Sequence, residues 1–178
     1  NTSWDITKFE VATHKWADLS NNTYGISIIN DCKYGYSVDG SMIGLSLIKS
    51  GISPDPMQDI GYHNFTYSIY PHQEPCLESD VENQAFFLNN PLKIVKKNIN
   101  NIPILEINNN NIVIDAIKKS ENSDDIIIRI HEYKNQVQSL KIDFNNYEIV
   151  NLLENSIDDD KDIIKPYEIK TIKILKEE

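Results

Sequence analysis

The chain has 178 residues, with 27 acidic against 17 basic side chains and a formal net charge of −10. That length and a 40% apolar content suit a domain of ordinary size with a real core, and exclude a wholly disordered chain. The acidic balance argues against a nucleic-acid or anionic-membrane partner, and no apolar run nears the roughly 20 residues of a membrane span.

There are 29 Ile and 21 Asn but only four Ala. Scarce Ala with abundant β-branched residues favours strands over helices. In chain order, strands are predicted at 9–12, 24–29, 41–49, 64–70, 112–118, 125–133, 136–144, 147–153 and 166–175. In 64–70 the alternation places Phe65, Tyr67 and Ile69 on one side. Val38-Asp39-Gly40 joins two strands as a tight turn. Pro54 and Pro56 make 53–56 a loop, because proline lacks the ladder N–H. Residues 77–88 form the one predicted helix, with Val81, Ala85 and Leu88 at helical spacing. Four consecutive Asn at 108–111 read as a hairpin tip, and Asp158, Asp159 and Asp160 as a solvated loop. The expectation is one domain over 1–178: an all-β, two-sheet antiparallel β-sandwich of roughly nine to eleven strands with one short helix. A chain that opens at Asn1 reads as a processed product or a piece of something larger.

The search for chemistry is negative. No G-x-S-x-G, no Gly-rich phosphate loop and no C-x-x-C occur. His14, His63, His72 and His131 have no metal-ligand spacing, and the Asp158–Asp160 run lacks the Gly and distal Glu of a calcium loop. Cys32 and Cys76 allow one bridge, but two free thiols in a reducing cytoplasm are expected. Paired carboxylates are too numerous to be specific. Nine Tyr and two Trp suit sugar stacking, yet Phe65, Tyr67 and Tyr70 read first as packing residues of a sheet.

Three strings carry a resemblance. They are SWDITKFEVATHKWADLS at 3–20, YGISIINDCKYGYSVDG at 24–40 and SPDPMQDIGYHNFTYSIYPH at 53–72. In that order they resemble the C-terminal β-domain of glycoside hydrolase family 38 α-mannosidases, in the cytosolic and vacuolar branch. IVIDAIKK at 112–119 and KPYEIKTIKI at 165–174 are similar to the closing strands of that family, while 78–111 matches least. Lys49 stands where the family has Arg, and the Asn and Asp runs look like insertions.

The resemblance implies a retaining exo-α-mannosidase with two catalytic carboxylates. It also implies zinc or another divalent metal that grips the sugar, held in an upstream catalytic domain of the same chain. It assigns no catalytic and no metal residue here, and no cofactor to this segment. Its implied partners are that catalytic domain and α-mannosides, with homo-oligomerisation open. Candidates for the active-site rim or a domain interface are Asp31, Lys33 and Tyr34 at a strand end. Asp55, Asp59 and His63, in a Pro-stiffened loop, complete the set. Two other readings are an independent carbohydrate-binding module and a purely structural docking or oligomerisation domain. The first needs an exposed aromatic platform or a concave face and should bind mannobiose alone; the accessory reading expects no such binding.

Overall fold

The computed structural model describes residues 3–94, 96, 111–142, 144 and 146–176. They fall into two compact units, Asn1–Lys96 and Lys97–Glu178. The hairpin tip expected at 108–111 lies, apart from Asn111, outside the described residues.

Unit one runs α1 (Ser3–Ile6), β1 (Val11–Ala12), β2 (Trp16–Ser20), β3 (Gly25–Asn30), β4 (Gly35–Asp39), β5 (Met42–Leu45) and β6 (Tyr67–His72). A 3₁₀ turn at Cys76–Glu78 and helix α2 (Val81–Asn89) follow. The strands form two antiparallel sheets, β1-β4-β5 and β2-β3-β6. Tyr36 of β4 is fully buried and ties the sheets together. Its hydroxyl donates to the Ile28 carbonyl at 3.2 Å and accepts from the Asn30 amide. The turn after β4 is Gly40-Ser41, one residue later than predicted, with Asp39 paired to Met42 inside the ladder. Gly40 has φ +59°, the conformation a two-residue hairpin asks of its first central residue.

Val81, Ala85 and Leu88 of α2 pack as predicted, on Ile29, Trp16, Tyr70 and Cys76. The Trp16 indole N–H donates to Glu82 at 2.7 Å, and the Asn89 amide donates to the Asn30 carbonyl at 3.1 Å. The helix begins four residues later than expected, since Cys76–Glu78 closes a separate tight turn. In β6 the alternation holds, and of the two tyrosines expected to pack only Tyr70 does so. Tyr70 and His72 turn toward the helix, while Tyr67 (52% exposed) and Ile69 (63%) face outward.

Unit two runs β7 (Ile112–Lys119), β8 (Ile126–Glu132), β9 (Gln138–Ser139), β10 (Tyr147–Val150), β11 (Ile163–Ile164) and β12 (Ile169–Ile174). Its sheets are β10-β12-β8-β7 and β11-β9, again antiparallel. Period-two spacing turns Ile128 and Ile130 of β8 and Ile172 and Ile174 of β12 inward, against Ile112, Ile149, Ile164 and Leu140. Each such side chain contributes about 2 kcal/mol by burial. The all-β antiparallel class is therefore what the Ile pattern predicted. Strands β2, β4 and β11 are not among the predicted ones, because their polar or very short runs carry little periodic signal. No helix among the described residues is long and apolar enough to cross a membrane.

Candidate functional site

The chain leaving β3 turns sharply at Asn30–Lys33, because the Asn30 side-chain oxygen accepts the Lys33 N–H at 2.6 Å. Asp31 then extends the β3–β6 pairing past its last residue. Its N–H donates to the Thr66 carbonyl at 3.2 Å, and both its carboxylate oxygens accept the Thr66 N–H at 3.0 Å. The Cys32 thiol and then the Thr66 amide hold the Asp31 carboxyl below the usual carboxylate range. The same bond to Asp31 pushes the Cys32 thiol up. Lys33 lays its ammonium 4.7 Å from the centre of the Phe65 ring, and Tyr34 stacks on His14 at 5.8 Å, nearly parallel. The exposed tip thus presents a fixed anion, a cation on an aromatic face and a tyrosine plane.

Asp55, Asp59 and His63 are not drawn into that tip. Asp55 accepts the Met57 N–H at 2.8 Å, and His63 donates through Nε2 to the Asp59 carbonyl at 2.9 Å. Those bonds shape their own loop, where the Ser53–Pro54 bond is cis.

A second polar cluster, which the sequence reading missed, lies under the 3₁₀ turn. His72 at the end of β6 places Nε2 2.7 Å from Asp18 of β2, and its Nδ1 donates to the Glu74 carbonyl at 2.7 Å. Asp18 also accepts the Ser27 hydroxyl at 2.6 Å. Both ring nitrogens face acceptors, so the imidazolium is favoured. Burial works against that charge, but the bonds to Asp18 and Glu74 outweigh it and raise His72 above 6.5. Asp18 is held below 3.8, since burial is outweighed by bonds from Ser20, Ser27 and His72. Burial, then the Asp18 charge, pushes the neighbouring Cys76 thiol up to about 12, which keeps it in the thiol form. Both cysteines are free thiols.

The pair makes stability depend on pH. His72 contributes fully below its unfolded value near 6.5 and loses that contribution as pH rises through the raised folded value. Asp18 contributes above 3.8 and loses it as pH falls through its lowered folded value. Urea midpoints of the wild type and His72→Gln should therefore differ most between about pH 4 and 6.5 and converge at higher pH. A gap of constant size over that range would contradict the ion pair.

Comparison with known proteins gives this geometry a family. Residues 1–57 match the model described as "Glycosyl hydrolases family 38 C-terminal domain". Residues 111–172 match "Glycosyl hydrolases family 38 C-terminal beta sandwich domain". The chain belongs to the C-terminal part of glycosyl hydrolase family 38. Alpha-mannosidase G of Dictyostelium discoideum is 37% identical over 98% of this chain and 18% of its own length. The alpha-mannosidase of Saccharomyces cerevisiae is 43% identical over 68% of the chain and 11% of its own length. The crystal structure of an alpha-mannosidase from Enterococcus faecalis shares the fold, with TM-score 0.79 and 17% identity over 98% of this chain and 22% of that one. The chain thus spans less than a quarter of the relatives it matches.

The first family 38 match contains β1 to β5 and the Asp31 tip, and the second contains all the strands of unit two up to β12. Among the described residues, no three His, Cys, Asp or Glu groups gather as ligands.

Proposed function

We propose that both units together serve as the C-terminal accessory part of a longer, retaining, metal-dependent exo-α-mannosidase of the cytoplasm. The observation that carries this reading is the ordered match to family 38 C-terminal sequence in both units. The 37% identity to an α-mannosidase along nearly the whole chain supports it. The metal, zinc or another divalent ion, would grip the terminal mannose from ligands elsewhere in the longer protein. This chain's share is positional. Asp31, Lys33 and Tyr34 form a pinned polar tip suited to the rim of an active site or to a domain interface. The loop of Asp55, Asp59 and His63 adds a second, proline-stiffened edge. The outward Tyr67 and Ile69 of edge strand β6 offer apolar area for docking on the catalytic domain. Two free thiols agree with a reducing compartment.

The test is turnover by the full-length protein on an aryl α-mannoside, with release of the sugar followed by NMR. Net retention of anomeric configuration and loss of activity with a chelator are expected; inversion, or no hydrolysis, would remove the reading. In the same protein, Asp31→Asn or Asp59→Ala should lower kcat several-fold with the melting temperature within about a degree. Unchanged kcat in both folded variants would leave these residues as loop supports only.

A further inference from the structure

The outer face of the four-stranded sheet in unit two carries an open hollow of about 570 Å³, lined by Asp115, Arg129, His131, Tyr133, Tyr167 and Ile169. Three features build it. First, the β7–β8 register shifts between Ile114 and Ala116, so Asp115 has no ladder partner. Such a bulge re-aims a side chain, and here Asp115 reaches His131 Nδ1 at 2.8 Å. Second, the register sets Ile169 beside His131 and Thr171 beside Arg129, the sole arginine of a lysine-dominated chain. Arg129 Nε donates to the Thr171 hydroxyl at 3.4 Å. Third, Glu132 is buried beneath the rim (1% exposed) and accepts two backbone N–H groups, from Lys134 at 2.7 Å and Tyr167 at 3.0 Å. It thereby fixes both turns that carry the tyrosines. Tyr167 is held at φ +57°, a left-handed conformation disfavoured for an aromatic residue, with its ring exposed.

We propose that this hollow binds a neutral hexopyranose ring and gives the protein a glycan-holding site on the outer face of this sheet. The exposed Tyr167 ring and Ile169 supply the apolar surface that stacks on a sugar face, and Tyr133, with the Lys134 ammonium 5.6 Å from its ring centre, forms part of the wall. Sugar hydroxyls both donate and accept, and the polar groups match that. Arg129 donates; Asp115 accepts. The Asp115 bond at Nδ1 fixes the orientation of the His131 ring, whose other nitrogen can pair with a sugar hydroxyl. An anionic ligand is disfavoured, because the Asp115 carboxylate lines the hollow and the chain carries −10. This departs from the expectation that the segment binds no sugar by itself. Its choice of mannose as the ring rests on the α-mannosidase reading above.

The experiment is affinity electrophoresis of the full-length protein through gels with and without soluble α-mannan, run beside aryl-mannoside hydrolysis. Tyr167→Gly removes the ring and relieves the positive φ, so the fold is retained. It should lose at least five-fold of the mannan affinity while kcat on the small substrate stays within two-fold. Tyr167→Phe should keep the affinity. Asp115→Asn, on the exposed sheet surface, carries the same expectation as Tyr167→Gly. Mannan retardation equal to wild type in both Tyr167→Gly and Asp115→Asn would overturn the site. A wild type that is retarded yet hydrolyses nothing would overturn the enzyme reading and leave the hollow standing.

Discussion

Gly25→Ala is expected to unfold unit one more readily than any other single methyl added to a glycine of the chain. A Cβ on Gly25 would stand 2.5 Å from His72 Cε1 and 2.7 Å from Nε2, and closer still to the Ser20 Cβ. Neither neighbour can yield cheaply. The imidazole is fastened at both nitrogens, to Asp18 and to the Glu74 carbonyl. Ser20 sits opposite Gly25 in the β2–β3 ladder, and His72 opposite Gly25 in β3–β6. The overpacking should cost about 3 kcal/mol, or about 15 °C of melting temperature for a unit of this size. Gly44→Ala is the control. Its Cβ would meet the tip of the Ser37 side chain at 2.9 Å, and a serine hydroxyl can rotate away. That variant should lose less than about 1 kcal/mol. Combining Gly25→Ala with His72→Ala should destabilise by less than the sum of the two, since one change removes the obstacle met by the other. Full additivity in denaturant unfolding would show that the ring is not what confines Gly25.

That close approach could not be read from the residues alone, and the reason is instructive about the rest of the fold. In unit two, isoleucine alternates with polar residues over Thr171–Lys173, so strand and face are legible together there, whereas Ile126, Ile127 and Ile128 run on without a break and mark a strand but not its face. In unit one, Ile28 and Ile29 are adjacent, as are Ile69 and Tyr70, so both faces of the sheet read as apolar. The side that is buried is decided by α2 and by the Asp18–His72 pair, which are tertiary facts. Strand β2 was overlooked for the same cause: WADLS carries a buried aspartate where a half-buried strand should show an apolar residue. Asp18 becomes legible only once the register sets it opposite Ser27. The rim candidates Asp31, Lys33 and Tyr34 were found by likeness to the family and do share one pinned tip. Asp55, Asp59 and His63 do not join it among the described residues, because proximity between two loops is not encoded in either loop. The hollow of unit two depends on a bulge at Asp115 and a left-handed Tyr167, neither of which has a sequence signature.

Lys170→Met should give the largest loss in unit two, about 3 kcal/mol by urea or guanidinium unfolding. The side chain of Lys170 is 1% exposed, and on the periodic pattern of β12 it occupies an inward position opposite Ile130. Its ammonium donates to the carbonyls of Asp160 at 2.6 Å and Ile163 at 2.8 Å, and pairs with Asp159 at 3.1 Å. The aspartate run is therefore not wholly solvated, as its composition suggested. Its middle residue, held below the usual carboxylate range chiefly by the bond from Lys170, is a partner of a buried cation. Methionine fills a similar volume, so little of the loss is packing. What remains is two carbonyls and the carboxylates of Asp159 and Glu168 without their cation, and the chain from Asp159 to β11 without its anchor. Asp159→Asn should cost only about 1 kcal/mol, because Asp159 is partly exposed and the two carbonyls still satisfy the lysine. Lys161→Met, whose ammonium donates to the Tyr147 carbonyl at the surface, should change stability by less than about 0.5 kcal/mol. Hydrogen exchange would place the effect: in Lys170→Met the amide of Leu140, which donates to the Asp162 carbonyl at 2.7 Å, should lose protection along with β9 and β11. Equal losses for the three variants, or protection at Leu140 that survives Lys170→Met, would mean that the lysine merely tolerates its burial and does not organise the loop around it.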